Sequence, residues 1–119
     1  MAMPAARLTL KKSDKLRHRV QFEEARRDGV KEVGSFLLLV HLSASKVECG
    51  VICSKKYSLL SVERNRARRL LWEAFRLLKP RIRPVRLVLI ARNRLKGCRG
   101  PQVRDELERL LRRAGLLEE

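Results

Sequence analysis

The run Arg64-Asn65-Arg66-Ala67-Arg68-Arg69 places four guanidiniums within six residues. Ser54-Lys55-Lys56 lies upstream and Trp72-Glu73-Ala74-Phe75-Arg76 downstream. A guanidinium offers a planar fork of donors that fits a phosphate. The run also sits where a helix should begin, and a helix start carries unpaired N–H groups and a positive dipole end. Crowding cations there is unfavourable unless an anion arrives. The chemistry these residues suit is therefore the gripping of a polyanion. Asn65 can hydrogen-bond a ribose or phosphate, or cap the backbone. Lys55 and Lys56 end the preceding strand beside this surface, and Arg76 extends it. Trp72 projects among Arg68, Arg69 and Arg76. It reads either as a stacking platform for an unpaired base or as a ring packed beneath arginine stems.

No self-sufficient catalytic set accompanies this cluster. His18 and His41 are isolated from one another, and no nucleophile–base pair, paired-carboxylate motif, phosphate-binding glycine loop or zinc spacing occurs. Cys49, Cys53 and Cys98 lack a CxxC spacing. Cys49 and Cys53 would share one strand face, a poor geometry for a local bridge, so all three read as small buried thiols of a reducing cytoplasm.

The totals agree with a polyanion partner. The chain has 119 residues, 45% of them hydrophobic, with 29 Lys+Arg against 13 Asp+Glu, a net charge of +16 and a pI of about 11.2. That length suggests one domain with one real core. The charge excess repels itself in a compact monomer but favours counterion release on nucleic acid. The apolar runs Phe36–Val40 and Leu87–Ala91 are strand-length, so neither a membrane span nor a signal peptide is expected.

The elements that must position the cluster follow from periodicity. Residues 1–15 read as a basic, weakly periodic arm whose order is left open, and residues 16–117 as a single domain. A short helix is expected from near Arg19 to Arg27, ending before Gly29, which suits a left-handed C-terminal position. Ser35–Leu42 reads as a central strand, apolar on both faces. Val47–Ser54 reads as the next strand, and the short connection implies an antiparallel pair. A long helix over Glu63–Leu78 puts Ala67, Leu70, Leu71, Ala74, Phe75, Leu77 and Leu78 on one face, opposite Asn65, Arg68, Arg69, Trp72 and Arg76. Pro80 and Pro84 stop it. Val85–Ala91 is a further strand. Pro101 opens and Gly115 closes a last helix whose apolar stripe is Val103, Leu107, Leu110, Leu111 and Ala114. Asp105–Arg109 and Glu108–Arg112 are favourable four-residue pairs on it. The fold class is α+β, a small mixed sheet of three to four strands with helices packed on one face.

Gly50-Val51-Ile52-Cys53-Ser54-Lys55-Lys56, then Val62-Glu63-Arg64-Asn65-Arg66-Ala67-Arg68-Arg69-Leu70-Leu71 and Glu73-Ala74-Phe75-Arg76, closely resembles the bacterial ribonuclease P protein component. The resemblance runs over roughly residues 16–114 and includes the spacing of Phe22 and Gly29 and the strand Leu89-Ile90-Ala91-Arg92. It implies a left-handed βαβ crossover, against the usual hand. It also implies a protein subunit that binds the catalytic RNA of ribonuclease P and the 5′ leader of precursor tRNA. The endonucleolytic chemistry would belong to the RNA and its Mg²⁺, with no catalytic or metal-binding side chain on this chain. Lys55, Lys56, Arg64, Asn65, Arg66, Arg68, Arg69, Trp72 and Arg76 would meet RNA, and Phe22, Ile52 and Ser54 would line the leader cleft. A cytoplasmic ribonucleoprotein, free of membrane and of any obligate protein partner, is the implied setting. Three positions depart from the family pattern: Trp72 replaces an Arg, Arg26 a second aromatic, and Arg86 a residue that is often acidic. A ribosomal-type RNA-binding module and a self-contained endonuclease share the charge, but the Ser-Lys-Lys and Arg-Asn-Arg pairing favours ribonuclease P over both. A DNA-binding domain is disfavoured by the lack of a helix-turn-helix signal.

Overall fold

The computed structural model describes residues 15, 16 and 18–118. Of the expected basic arm, only Lys15 falls among them. In chain order the elements are α1 (Arg19–Asp28), β1 (Val30–Val33), β2 (Leu37–Ser43), β3 (Glu48–Ile52), α2 (Ser61–Leu78), β4 (Val85–Ala91) and α3 (Gly100–Arg113). The strands form one mixed sheet in the order β1-β2-β4-β3. β4 runs antiparallel to β2 and parallel to β3, so β3, α2 and β4 make a βαβ unit. The expected α+β class is therefore present.

β4 holds an interior position because it is apolar on both faces. Val85, Leu87 and Leu89 enter the larger core, while Val88 enters a smaller cluster on the other side with Ile90 packed against it. The antiparallel β2–β3 pair expected from their short connection does not form, because β4 lies between them. The connection permits this. Five residue steps from Ser43 to Glu48 reach up to about 17 Å, and two strand spacings need only about 10 Å.

The larger core joins α2 and α3 to one sheet face through Ala67, Leu71, Phe75, Val103, Leu107 and Leu111. Helix periodicity placed this face well, although Leu77 sits at its rim, 37% exposed. Pro80 falls in a 3-10 turn at Lys79–Arg81, which ends α2 as expected. Gly115 has φ +74, the left-handed conformation that ends α3. On α3, Asp105 meets Arg104 and Glu108 meets Arg81.

Helix α1 departs from the one-face arrangement. It lies across the opposite face, where Ala25 joins Leu16, Val40 and Val88. Its start is fixed by Gln21, whose side-chain oxygen accepts the His18 backbone N–H at 3.2 Å. Gly29 at its end is not left-handed, with φ −77. A glycine is needed there for space instead: a Cβ would fall 2.4 Å from the Ala25 carbonyl oxygen and 2.6 Å from Val40 Cγ1.

One buried acid ties α3 to the sheet. Glu106, 1% exposed, accepts the backbone N–H groups of Ser35, Phe36 and Leu37 at 2.6, 2.7 and 3.0 Å. Gly34 clears room for it, since a Cβ there would lie 2.7 Å from Glu106 Cδ. The three cysteines are free thiols and all buried, as the sequence suggested. Burial pushes each thiol upward, Cys49 most of all.

Two outcomes are expected. Glu106→Ala leaves three inward N–H groups without an acceptor and should cost about 2–4 kcal/mol in urea unfolding, with Glu106→Gln losing less. Folded protein at neutral pH should react with a thiol reagent at none of its three cysteines on the timescale in which urea-unfolded protein reacts at all three.

Candidate nucleic-acid interface

Helix α2 begins one turn before its arginines, and the preceding loop builds the entry. Ser58 Oγ accepts the Leu60 N–H at 3.0 Å and donates to Glu63, the one acid of the first turn. The arginines are then oriented mostly by neutral oxygens. Arg64 donates to the Ser58 carbonyl at 2.9 Å and to Ser61 Oγ at 3.2 Å. Arg66 donates to the Cys98 carbonyl at 2.7 Å, linking α2 to the loop before α3. Arg68 donates to Asn65 Oδ1 at 2.9 Å and to the Cys53 carbonyl at 3.4 Å. Each guanidinium has five donors, so these contacts fix direction and leave donors and the full positive charge facing outward. Arg69 is exposed and has no partner among the described residues. Arg76 differs. It is bound to Glu73 through two N–H groups, and this pairing lowers the Glu73 carboxyl below its ordinary value. An anion at Arg76 has to compete with that carboxylate.

Lys55 and Lys56 are exposed in the turn after β3, and Lys56 lines a cleft that also holds Arg92 and Arg109. Trp72 resolves toward the packed reading. It is half-buried against the larger core, edge-on to Phe75 with ring centroids 6.2 Å apart, and Lys15 Nζ lies 5.0 Å from its ring centroid. Its exposure to a base is therefore shared with a lysine already in place.

A second feature lies on the opposite sheet face. Phe22 on α1 lies over Gly50 of β3 so closely that a Cβ at position 50 would be 2.3 Å from the ring. Phe22 and Ile52 flank the same small cluster. Beside them runs an open groove of about 410 Å³ lined by Arg19, Phe22, Val51, Ile52, Cys53 and Arg68. Two of the three residues expected in the leader cleft, Phe22 and Ile52, are thus together. Ser54 lies one residue beyond the groove wall. Arg19, which the sequence did not single out because its exposed position on α1 reads as an ordinary solvated cation, lines the groove while paired with Glu23 at 2.9 Å. Arg68 joins the groove to the α2 surface, since it lines one and belongs to the other.

At Arg86, where the family pattern is often acidic, a guanidinium sits between Glu24 at 3.3 Å and Glu48 at 3.6 Å. The two carboxylates that could have met a cation there already hold one. Among the described residues no group of three His, Cys, Asp or Glu side chains is arranged to hold a metal ion.

Comparison with known proteins gives consistent findings. A family model described as Ribonuclease P matches residues 10–115. The ribonuclease P protein component of Symbiobacterium thermophilum is 34% identical over 114 residues, covering 92% of this chain and 97% of that protein. That of Xanthomonas campestris pv. campestris (strain B100) is 36% identical over 100 residues, covering 82% of this chain, and the match spans 64% of the relative's length, just under two thirds. The structure of the Staphylococcus aureus RNase P protein superposes with a TM-score of 0.80 at 22% identity, over 90% of this chain and 100% of that one, a likeness of fold.

The hydrogen bonds separate two kinds of arginine. Arg66→Ala should lose about 1 kcal/mol of stability with its Cys98 contact, and RNA affinity as well. Arg69→Ala should leave stability unchanged and lower the slope of log affinity against log salt by about 1. Equal melting losses for both variants would contradict this division. Trp72→Ala should lower thermal stability more than it lowers RNA affinity in a parallel binding titration.

Proposed function

The chain belongs to the ribonuclease P protein family, and we propose that it serves as the protein subunit of a ribonuclease P ribonucleoprotein. In this reading the outer face of α2, from Arg64 to Arg69 with Lys55 and Lys56, seats the catalytic RNA. The groove beside Phe22 and Ile52 receives the single-stranded 5′ leader of precursor tRNA. The observation that carries the reading is the junction at Arg68. One guanidinium lines the groove and belongs to the basic helix, so two RNA elements can be held side by side.

The chemistry of each part suits its task. An aromatic face with an aliphatic neighbour and flanking cations binds single strands with little regard to sequence, because every base has a stacking face and every nucleotide a phosphate. The outward arginines on α2 hold backbone phosphates, and their affinity falls as salt rises. The hydrolytic step would use Mg²⁺ held mainly by the RNA, which polarises a phosphoryl oxygen and activates water. The side chains of this protein orient and bind; none is assigned a proton transfer. The setting proposed is cytoplasmic, with the RNA subunit and precursor tRNA as partners.

Reconstitution tests the proposal. The purified chain, a bacterial ribonuclease P RNA and precursor tRNA are combined at a low Mg²⁺ concentration where the RNA alone is slow. Cleavage at the mature 5′ end that requires both components is the expected result. Cleavage by the protein alone, or binding to all RNAs without rescue of cleavage, would sink it. Gly50→Ala, which drives a Cβ into the Phe22 ring, should weaken leader binding about as much as Phe22→Ala while leaving affinity for the RNA subunit within about twofold.

A further inference from the structure

A second, larger cleft lies on the α3 side of the sheet, at the end where β3 and β4 finish. It encloses about 880 Å³ and is lined by Lys56, Arg92, Arg94, Arg109 and Arg113 against a single carboxylate, Glu106. That carboxylate is already satisfied by three backbone N–H groups and lies 3.7 Å from Arg109. The floor therefore offers no free acceptor, and the walls present a surplus of cations. Those walls come from separate elements: Lys56 follows β3, Arg92 and Arg94 follow β4, and Arg109 and Arg113 project from α3. Arg92 and Arg113 are braced on the carbonyls of Gly34 and Val33, and Arg113 also meets Glu32. Arg94 and Lys56 have no side-chain partner among the described residues. Asn93 and Ser35 add polar groups along the lining.

We infer that this cleft is a second seat for single-stranded RNA, taking leader nucleotides farther from the cleavage site than those in the Phe22 groove. The inference rests on the function proposed above. Three features favour a single strand. A cleft of this size is in the range of small-ligand pockets and admits a few nucleotides rather than a duplex. Its cations come from three separate parts of the fold, after β3, after β4 and on α3, so phosphates of a strand lying in it meet partners from more than one element. It also adjoins the groove: Cys53 lines the groove and Ser54, the next residue, lines the cleft. A strand leaving the groove over the end of β3 meets the cleft there.

The test uses the reconstituted RNA–protein complex and precursor tRNAs with leaders of about four and about twelve nucleotides. The wild type should bind the long-leader substrate about tenfold more tightly than the short one. Arg94→Glu/Arg109→Gln should abolish that increment, keep short-leader affinity within about twofold, and lower the long-leader salt slope by about 1.4, the value for two lost single-strand phosphate contacts. Arg94→Ala, which removes a side chain with no internal partner, should lose about threefold of the increment and controls for misfolding of the double variant. An increment retained in both variants overturns the inference and leaves the proposed function standing. Equal losses for both substrates and for the RNA subunit alone also overturn it, and assign the cleft to the catalytic RNA. A wild type that fails to rescue even the short-leader substrate takes both readings down.

Discussion

The hydrogen bond from guanidinium to backbone carbonyl governs how this protein carries its charge. A net +16 has to be arranged on a small fold without collapsing into internal ion pairs or expanding by repulsion. Arg64, Arg66, Arg68 and Arg92 each donate to a main-chain carbonyl, and Arg113 does so while also meeting Glu32. A carbonyl is a neutral acceptor. It fixes the direction of a cation without cancelling it, whereas a carboxylate would do both. Pre-orienting long side chains in this way also lowers the conformational entropy lost when a partner binds. Arg76 and Arg86 show the other solution, pairing with acids, so an anion at either would have to compete with a carboxylate.

The same division runs through the two faces of the sheet. The face under α2 and α3 holds the larger apolar core and opens only toward the end of β3 and β4, at the basic cleft. Among the described residues, the other face carries α1 and the Leu16 segment, which form a small cluster with Val40 and Val88. What is left open becomes the groove, and its aromatic wall depends on the absent side chain of Gly50. A strand that would be poorly packed by the standards of a core is in this way available to a ligand.

Much of this was legible in the sequence. The apolar stripe of α2, the stop at Pro80, the left-handed Gly115 and the buried thiols all follow from local rules, because each depends on residues near one another in the chain. Strand order did not, since a short connection constrains only the distance between β2 and β3, and β4 competes for the space between them. Gly29 was assigned the wrong reason: its neighbours Val40 and His41 come from another element. Glu106 left a trace that went unread. It lies three residues after Val103 and four before Leu110, inside the apolar stripe, where a charged residue needs a buried partner. The site was legible as two lists of residues. Their meeting at Arg68, and the cleft shared by Arg94 and Arg109, depend on tertiary packing that no local pattern records.

The insertion of β4 between β2 and β3 also sets the order of events during synthesis. The two strands are complete by residue 52, yet neither has its main neighbour until residues 85–91 exist. A ribosome adding about 5–20 residues per second therefore holds the N-terminal half for several seconds with the β4-facing edges of β2 and β3 unpaired. In that interval the chain is basic, apolar and unfinished, and pairing across long sequence separations is slow once it becomes possible. The nascent protein is most open to aggregation just before its last third emerges.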